Sequence, residues 1–213
     1  KKKKKKKLKK KKKKKFLIFF FFFFLEKGYD NTSISDILSK LDIARGTLYY
    51  HFESKEAIMD AIIERTAKKI VEEAKGIVLQ KGLSVHEKIF LLFSESNMNR
   101  LSGGELMIDY LNQPQNALFH EKSNRAFIQK ISPILGDIIS EGVKEGTFDN
   151  AFPYESAELI LAMIMGFMDA PYENTGENDP ERRMESLLYN MERMLGAKEG
   201  SFAKLKELSL YEE

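Results

Sequence analysis

Cysteine is absent from the 213 residues, which excludes disulfides, thiolate nucleophiles and cysteine-bearing zinc sites together. Histidine is scarce. His51, His86 and His120 are too few for a histidine-rich metal cluster. His86-Glu87 and His120-Glu121 lack a second histidine four residues on, so the zinc-protease pattern fails. Gly103-Gly104 stands alone, without phosphate-loop spacing, and Asp109, Asp137 and Asp169 form no carboxylate motif. The sequence therefore predicts no enzyme, no cofactor and no metal site. Proline occurs five times, and no alternating apolar–polar run rich in β-branched residues argues for a sheet.

Basic charge is scarce too, once one segment is set aside. Fourteen lysines and Leu8 make up residues 1–15, which leaves 21 basic against 32 acidic residues in the remainder. The net charge of +3 and the pI near 8.8 are products of that run, not a sign of a basic surface. After it comes FLIFFFFFFL, residues 16–25, with seven phenylalanines. The order mimics a secretory signal, but no small-residue cleavage site follows. Ten apolar residues also fall well short of the about 20 that cross a bilayer. Residues 1–15 read as a tag, artefact or disordered tail, and residues 1–24 as foreign to the natural chain; a membrane-surface anchor is the other reading. The rest suits a cytoplasmic protein with no membrane span.

Beyond residue 25 the periodicity is helical. Gly28 should end a first helix, and Asn31-Thr32-Ser33 offers N-caps for a second. Ser33 and Asp36 have capping-box spacing. Ile34, Ile37, Leu38 and Leu41 make a short amphipathic helix, and Asp42 must turn the chain, being a residue that tolerates positive φ. A third helix is expected from Ala44 to before Glu53, and a fourth, capped by Ser54, follows. Further helices are expected at about 84–100, 103–112, 116–145, 154–171 and 180–196, with a polar piece at 198–212. Pro133 predicts a kink or break within the 116–145 stretch.

Two short helices joined by a tight turn and braced by their neighbours form a helix-turn-helix, whose second helix enters the major groove of DNA. Here that helix reads Ala-Arg-Gly-Thr-Leu-Tyr-Tyr-His-Phe, residues 44–52. Leu48 and Phe52 can face a core, leaving Arg45, Thr47, Tyr49 and Tyr50 outside. Gly46 lets the backbone come close to DNA. Residues 25–56 resemble the DNA-binding domain of the TetR family of transcriptional regulators. The likeness is carried by Phe24-Leu25-Glu26-Lys27-Gly28-Tyr29, Thr32, Ser33, Ile37, the run Gly46 to Phe52, and Lys55-Glu56. At the turn the family has Ala-Gly-Val-Ser-like residues where this chain has Leu41-Asp42-Ile43-Ala44.

The resemblance implies an all-α protein, with an N-terminal three-helix DNA-binding domain (residues 16–65) and a larger helical effector-binding and dimerisation domain (66–213). It implies phosphate contacts from Thr32, Ser33 and Lys55, and a base contact from Arg45. Thr47 would meet a base edge or thymine methyl and Gly46 would let the backbone approach, with Tyr49, Tyr50 and His51 divided between phosphate and packing. Between Glu26 and Arg65 five basic residues face eight acidic ones, so affinity must come from a few placed contacts and from two paired copies. For the dimer interface, the sequence offers the uncharged run Leu159–Met168, with Leu159, Met163 and Gly166, and the amphipathic stretch 184–195, with Leu187, Leu188 and Met191. Candidates for a small-molecule pocket are Phe93, Met98, Tyr110, Phe119, Phe127, Met163 and Phe167, with Asn97, Asn112 and His120 to orient a ligand. The expected partners are double-stranded DNA, a second copy of the chain and a small effector. The expected function is ligand-responsive repression; the alternative is a helical interaction or membrane-surface protein with an idle helix-turn-helix.

Overall fold

The computed structural model describes residues 2–96, 113–169 and 180–207, and every regular element among them is helical. In order they are α1 (Lys2–Lys27), α2 (Ile34–Leu41), α3 (Arg45–Tyr49), α4 (Lys55–Val78) and α5 (Val85–Ser96). A 3-10 turn at Pro114–Asn116 leads into α6 (Ala117–Lys144), followed by α7 (Pro153–Asp169), α8 (Pro180–Leu195) and a last 3-10 turn at Ala203–Glu207. The helix expected at 103–112 lies outside the described residues. The contacts divide the chain into two units, one holding residues 1–68 and 98–126, the other 69–97 and 127–213. The boundary differs from the sequence expectation in one respect. Residues 113–126 group with the first unit, because Phe119 is buried in its core and Asn116 bonds the Tyr29 amide.

In the first unit, α1 stops where expected. Gly28 adopts φ +89, and its amide donates to the Phe24 carbonyl at 2.9 Å. The phenylalanine block presents Leu17, Phe20, Phe23 and Phe24 to the core at helical spacing, while Phe22 stays exposed. The helix extends back through the lysine run to Lys2, where a tag, artefact or disordered tail was expected. Lysine has good helix propensity, and the buried apolar turns supply a nucleus from which a helix can propagate. The second helix opens with the expected capping box. The Asp36 amide donates to Ser33 Oγ (3.1 Å) and the Ser33 amide donates to Asp36 Oδ2 (2.9 Å). It closes on Asp42 at φ 49, ψ 51, the left-handed region reached elsewhere only by glycines among the described residues.

The second unit has its own core. Ile70 and Ala74 of α4, Val85, Ile89 and Leu92 of α5, and the far half of α6 pack with α7 and α8 around it. Pro133 lies inside continuous α6, so of the kink or break expected there the break does not occur. A helical proline costs about 3 kcal/mol. Ile131, Ile134, Leu135, Ile138 and Ile139 are all buried on the same helix, each contributing about 1.5–3 kcal/mol, and that outweighs the lost bond. Pro153 and Pro180 instead open α7 and α8, where a missing N–H is harmless. Inside this unit Lys88 is buried and its ammonium reaches both carboxylate oxygens of Glu141, at 2.5 and 2.7 Å.

Asp42→Gly removes the cost of holding a side chain in the left-handed region. It should stabilise the protein by roughly 0.5–1 kcal/mol in thermal or urea unfolding. A destabilised variant would show that the Asp42 side chain contributes more than its backbone strain costs.

Candidate nucleic-acid interface

The third helix is five residues long, and its N-cap, Ala44, makes no side-chain capping bond. A helix that short does not persist alone. Two anchors hold it: Leu48 is 1% exposed and Phe52, just past its end, is 4% exposed. Phe52 meets Phe20 of α1 edge-on at 5.7 Å. Backbone bonds from Tyr50 to Gly46, and from His51 and Phe52 to Leu48, carry the coil on to Phe52. With Leu48 and Phe52 turned inward, Arg45, Gly46, Thr47, Tyr49 and Tyr50 lie exposed on the other side. A Cβ built at Gly46 would meet nothing within 4 Å, so the backbone there is open to an approaching surface. The Arg45 guanidinium lies 5.9 Å from the centre of the Tyr49 ring, one turn on.

The other expected contacts fare differently. Thr32 is 1% exposed, and its hydroxyl donates to the Gly28 carbonyl at 2.6 Å. Its hydroxyl serves to close the α1–α2 turn, which corrects the phosphate role expected for it. Ser33 is exposed, but its hydroxyl donates to Asp36 Oδ2 at 2.7 Å. Lys27 binds the same oxygen at 2.8 Å. Lys27, then the Ser33 amide and hydroxyl, hold the Asp36 carboxyl well below the usual carboxylate range. A carboxylate therefore occupies the start of α2, where a DNA phosphate was expected. His51 is half-buried and packs edge-on against Phe16 at 5.4 Å and Tyr50 at 5.1 Å, so its ring belongs to the packing. Lys55 donates to the Tyr29 carbonyl at 2.8 Å and lies 4.1 Å from the Tyr29 ring centre. Its first task is to brace α4 against the α1–α2 turn.

Local patterns did not reveal this bracing. Burial, then the negative charge of Glu56, push the Tyr29 hydroxyl's pKa up. The Tyr29 amide donates to Asn116 Oδ1 at 2.8 Å, across 87 residues of sequence. Lys122 pairs with Glu56 at 2.5 Å and Asp60 at 2.8 Å. The bonds to Asp60 and Glu56 push the pKa of the lysine up. No sequence spacing points to partners so remote.

The pocket and interface residues also separate. Phe93, Phe127, Met163 and Phe167 are half-buried against the second unit's core. Phe119, in contrast, is buried in the first unit's core, which removes it from any effector pocket. His120 is in the same unit, 3.1 Å from Asn124. Met98, Tyr110, Asn97 and Asn112 lie outside the described residues. Leu159 is 59% exposed, and Ala162 and Gly166 are exposed beside it along α7. Leu187, Leu188 and Met191 are at most 5% exposed, inside their own subunit's core, and so cannot form an interface. The amphipathic pattern of α8 marked the face that packs at home; its outward face carries Arg182, Ser186, Tyr189 and Arg193. Among the described residues no three His, Cys, Asp or Glu are placed to hold a metal ion, and no helix is long and apolar enough to cross a membrane.

Residues 23–62 match the family model described as bacterial regulatory proteins, tetR family, and residues 101–176 match the tetracyclin repressor-like C-terminal domain. The chain is 33% identical over 82 residues to the A-factor receptor protein of Streptomyces griseus, covering 38% of this chain and 29% of that protein. It is 23% identical over 164 residues to the fatty acid metabolism regulator protein of Bacillus subtilis, covering 76% of this chain and 82% of that one. A solved TetR-family transcriptional regulator from Pectobacterium atrosepticum shares the fold, with a TM-score of 0.62 at 18% identity, over 88% of this chain and 93% of that one.

The depressed Asp36 carboxyl makes a signed prediction. A group whose folded pKa lies below its unfolded value of about 3.9 stabilises above that value and stops doing so as pH falls through the folded one. Asp36→Asn should therefore melt below the wild type at pH 7, with the gap closing between about pH 4 and pH 2. A gap unchanged at pH 2 would show that the charge contributes nothing.

Proposed function

The chain belongs to the TetR family of transcriptional regulators, and on that premise we propose that it represses transcription as a homodimer bound to a palindromic operator, released by a small-molecule effector. The observation that carries the reading is the outward set on α3: Arg45, Thr47, Tyr49 and Tyr50, held in place by buried Leu48 and Phe52. Arginine's fork matches guanine O6 and N7, a pair that contributes about 1–3 kcal/mol of base discrimination. Thr47 suits a base edge or a thymine methyl, and the two tyrosines suit phosphates through their hydroxyls. The Ser33 and Lys55 side chains are already engaged, with Asp36 and the Tyr29 carbonyl, so they contribute less than the α3 residues.

One such head offers a small interface, so two are needed, about 34–36 Å or a multiple apart. The pairing surface is the outward side of α7, where Leu159, Ala162 and Gly166 form an exposed stripe of apolar and small residues, with Met163 at its edge. On α8 the exposed Tyr189 adds an aromatic contact, and Arg182 and Arg193 complement Glu155 and Glu158 of α7. The effector site is assigned to the second unit near Phe93, Phe127, Met163 and Phe167, which are neither fully packed nor exposed. The protein is read as a non-enzyme that works in the cytoplasm.

Two experiments test the reading. With residues 1–15 removed, the protein should select a palindrome from random duplexes, and the logarithm of its affinity should fall linearly with that of the salt concentration. Arg45→Ala should relax base preference by about 1–3 kcal/mol at one position per half-site while non-specific binding persists. Unchanged base preference would remove Arg45 from the groove. Leu159→Arg should yield a folded monomer in sedimentation with little operator affinity. A Leu159→Arg dimer would place the interface elsewhere.

A further inference from the structure

We propose that His86 is an acid-released latch for a C-terminal strap, residues 201–207: the neutral ring seats Phe202 in the second unit's core, and protonation frees the strap.

The latch is a cluster of three rings. His86, the second residue of α5, meets Phe148, just after α6, edge-on at 5.4 Å, and meets Phe202 of the strap at 5.2 Å. The two phenyl rings lie 6.1 Å apart, and both are buried in the second unit's core. The Nε2 atom of His86 is buried and has no hydrogen-bond partner among the described residues. A neutral imidazole can leave that nitrogen as a bare acceptor, but an imidazolium carries a proton on both nitrogens. Charging the ring therefore puts an N–H into an apolar seat with nothing to receive it.

Burial holds the pKa of the ring below its usual value. The carboxylate of Glu192 on α8 pulls the other way, and burial outweighs it. The remaining charges on the surrounding elements do not counter it: Glu87 and Lys88 on α5, Asp149 beside Phe148, and Lys204 and Lys206 on the strap. Lys88 is paired with Glu141, and Glu87 accepts from Ser84.

The strap has few other ties. The Phe202 amide donates to Glu192 Oε1 at 3.1 Å, and Leu205 is buried. Lys204 lies 4.5 Å from the centre of the Phe90 ring, and Lys206 forms an exposed pair with Glu185 at 2.8 Å, which contributes little. Ser201 Oγ is buried without a partner, a cost of docking. Phe202 and Leu205 thus carry the attachment, and His86 is the titratable ring against the first of them. A freed His86 takes up its proton near its ordinary pKa of about 6.5, so docking weakens as pH falls from there through the lower docked value. Each pH unit between the two values makes release about tenfold easier below both.

The test follows amide hydrogen exchange in the full-length chain at about pH 8 and about pH 5, corrected for the intrinsic pH dependence of exchange, beside an NMR titration of the His86 ring. His86 should titrate below about 6.5, and protection of the Phe202 and Leu205 amides should fall at the lower pH by the factor which that depression dictates, while α8 keeps its protection. His86→Phe keeps a ring in the seat and should leave the strap protected at both pH values. Glu192→Gln keeps an acceptor for the Phe202 amide and should move release to lower pH. Equal strap protection at both pH values in the wild type would overturn the proposal, as would a His86→Phe strap that is lost on acidification. Should His86→Phe fail to fold, the wild-type titration decides: a ring that titrates at or above about 6.5 overturns the latch.

Discussion

A five-residue helix has no stability of its own, and the structure is organised around supplying it from elsewhere. Leu48 and Phe52 are the two points of attachment, and everything beneath them exists to receive them. Phe20 meets Phe52 edge-on, and Ile37, Ile58 and Met59 complete a core with almost no exposure. Burying two side chains of this size contributes about 1.5–3 kcal/mol each, enough to offset the unfavourable nucleation of a single helical coil. The attachment also divides the labour within nine residues. Inward positions carry stability, and Arg45, Thr47, Tyr49 and Tyr50 are left exposed, the set proposed to recognise DNA.

Electrostatics imposes the second constraint. The head is acidic apart from the lysine run, so a general attraction to the duplex is weak and its few outward donors must be well placed. Several of its cations are already committed inside the fold. Lys27 is spent on Asp36, Lys55 on Tyr29, and Lys122 on Glu56 and Asp60. What remains facing outward on α3 is one arginine with hydroxyl and aromatic groups around it. That composition favours discrimination among sequences over indiscriminate phosphate binding.

The two units share two helices. Both α4 and α6 begin among the contacts of the first unit and end among those of the second. On α6 the shared segment also carries a proline at 133 without breaking, because the isoleucines around it are buried and hold the helix together.

Much was legible in the residues. The capping box at Ser33 and Asp36, the stop at Gly28, the left-handed turn at Asp42, the cap at Ser54 and the inward direction of Leu48 and Phe52 all depend on neighbours within a few positions, where periodicity and backbone preference act directly. The all-helical class followed from the same rules. Tertiary structure alone decided which face of an amphipathic helix meets its own core and which meets the outside. Leu187, Leu188 and Met191 looked like an interface and are interior, while Leu159 and Tyr189 are left exposed. It alone turned Thr32 inward, assigned Phe119 to the head, and brought Asn116 to Tyr29. The physical reason is range. Helix caps and turns are settled within about one turn of chain, whereas a buried amide or an ion pair takes whichever partner the packing brings to it, and sequence distance carries no record of that choice.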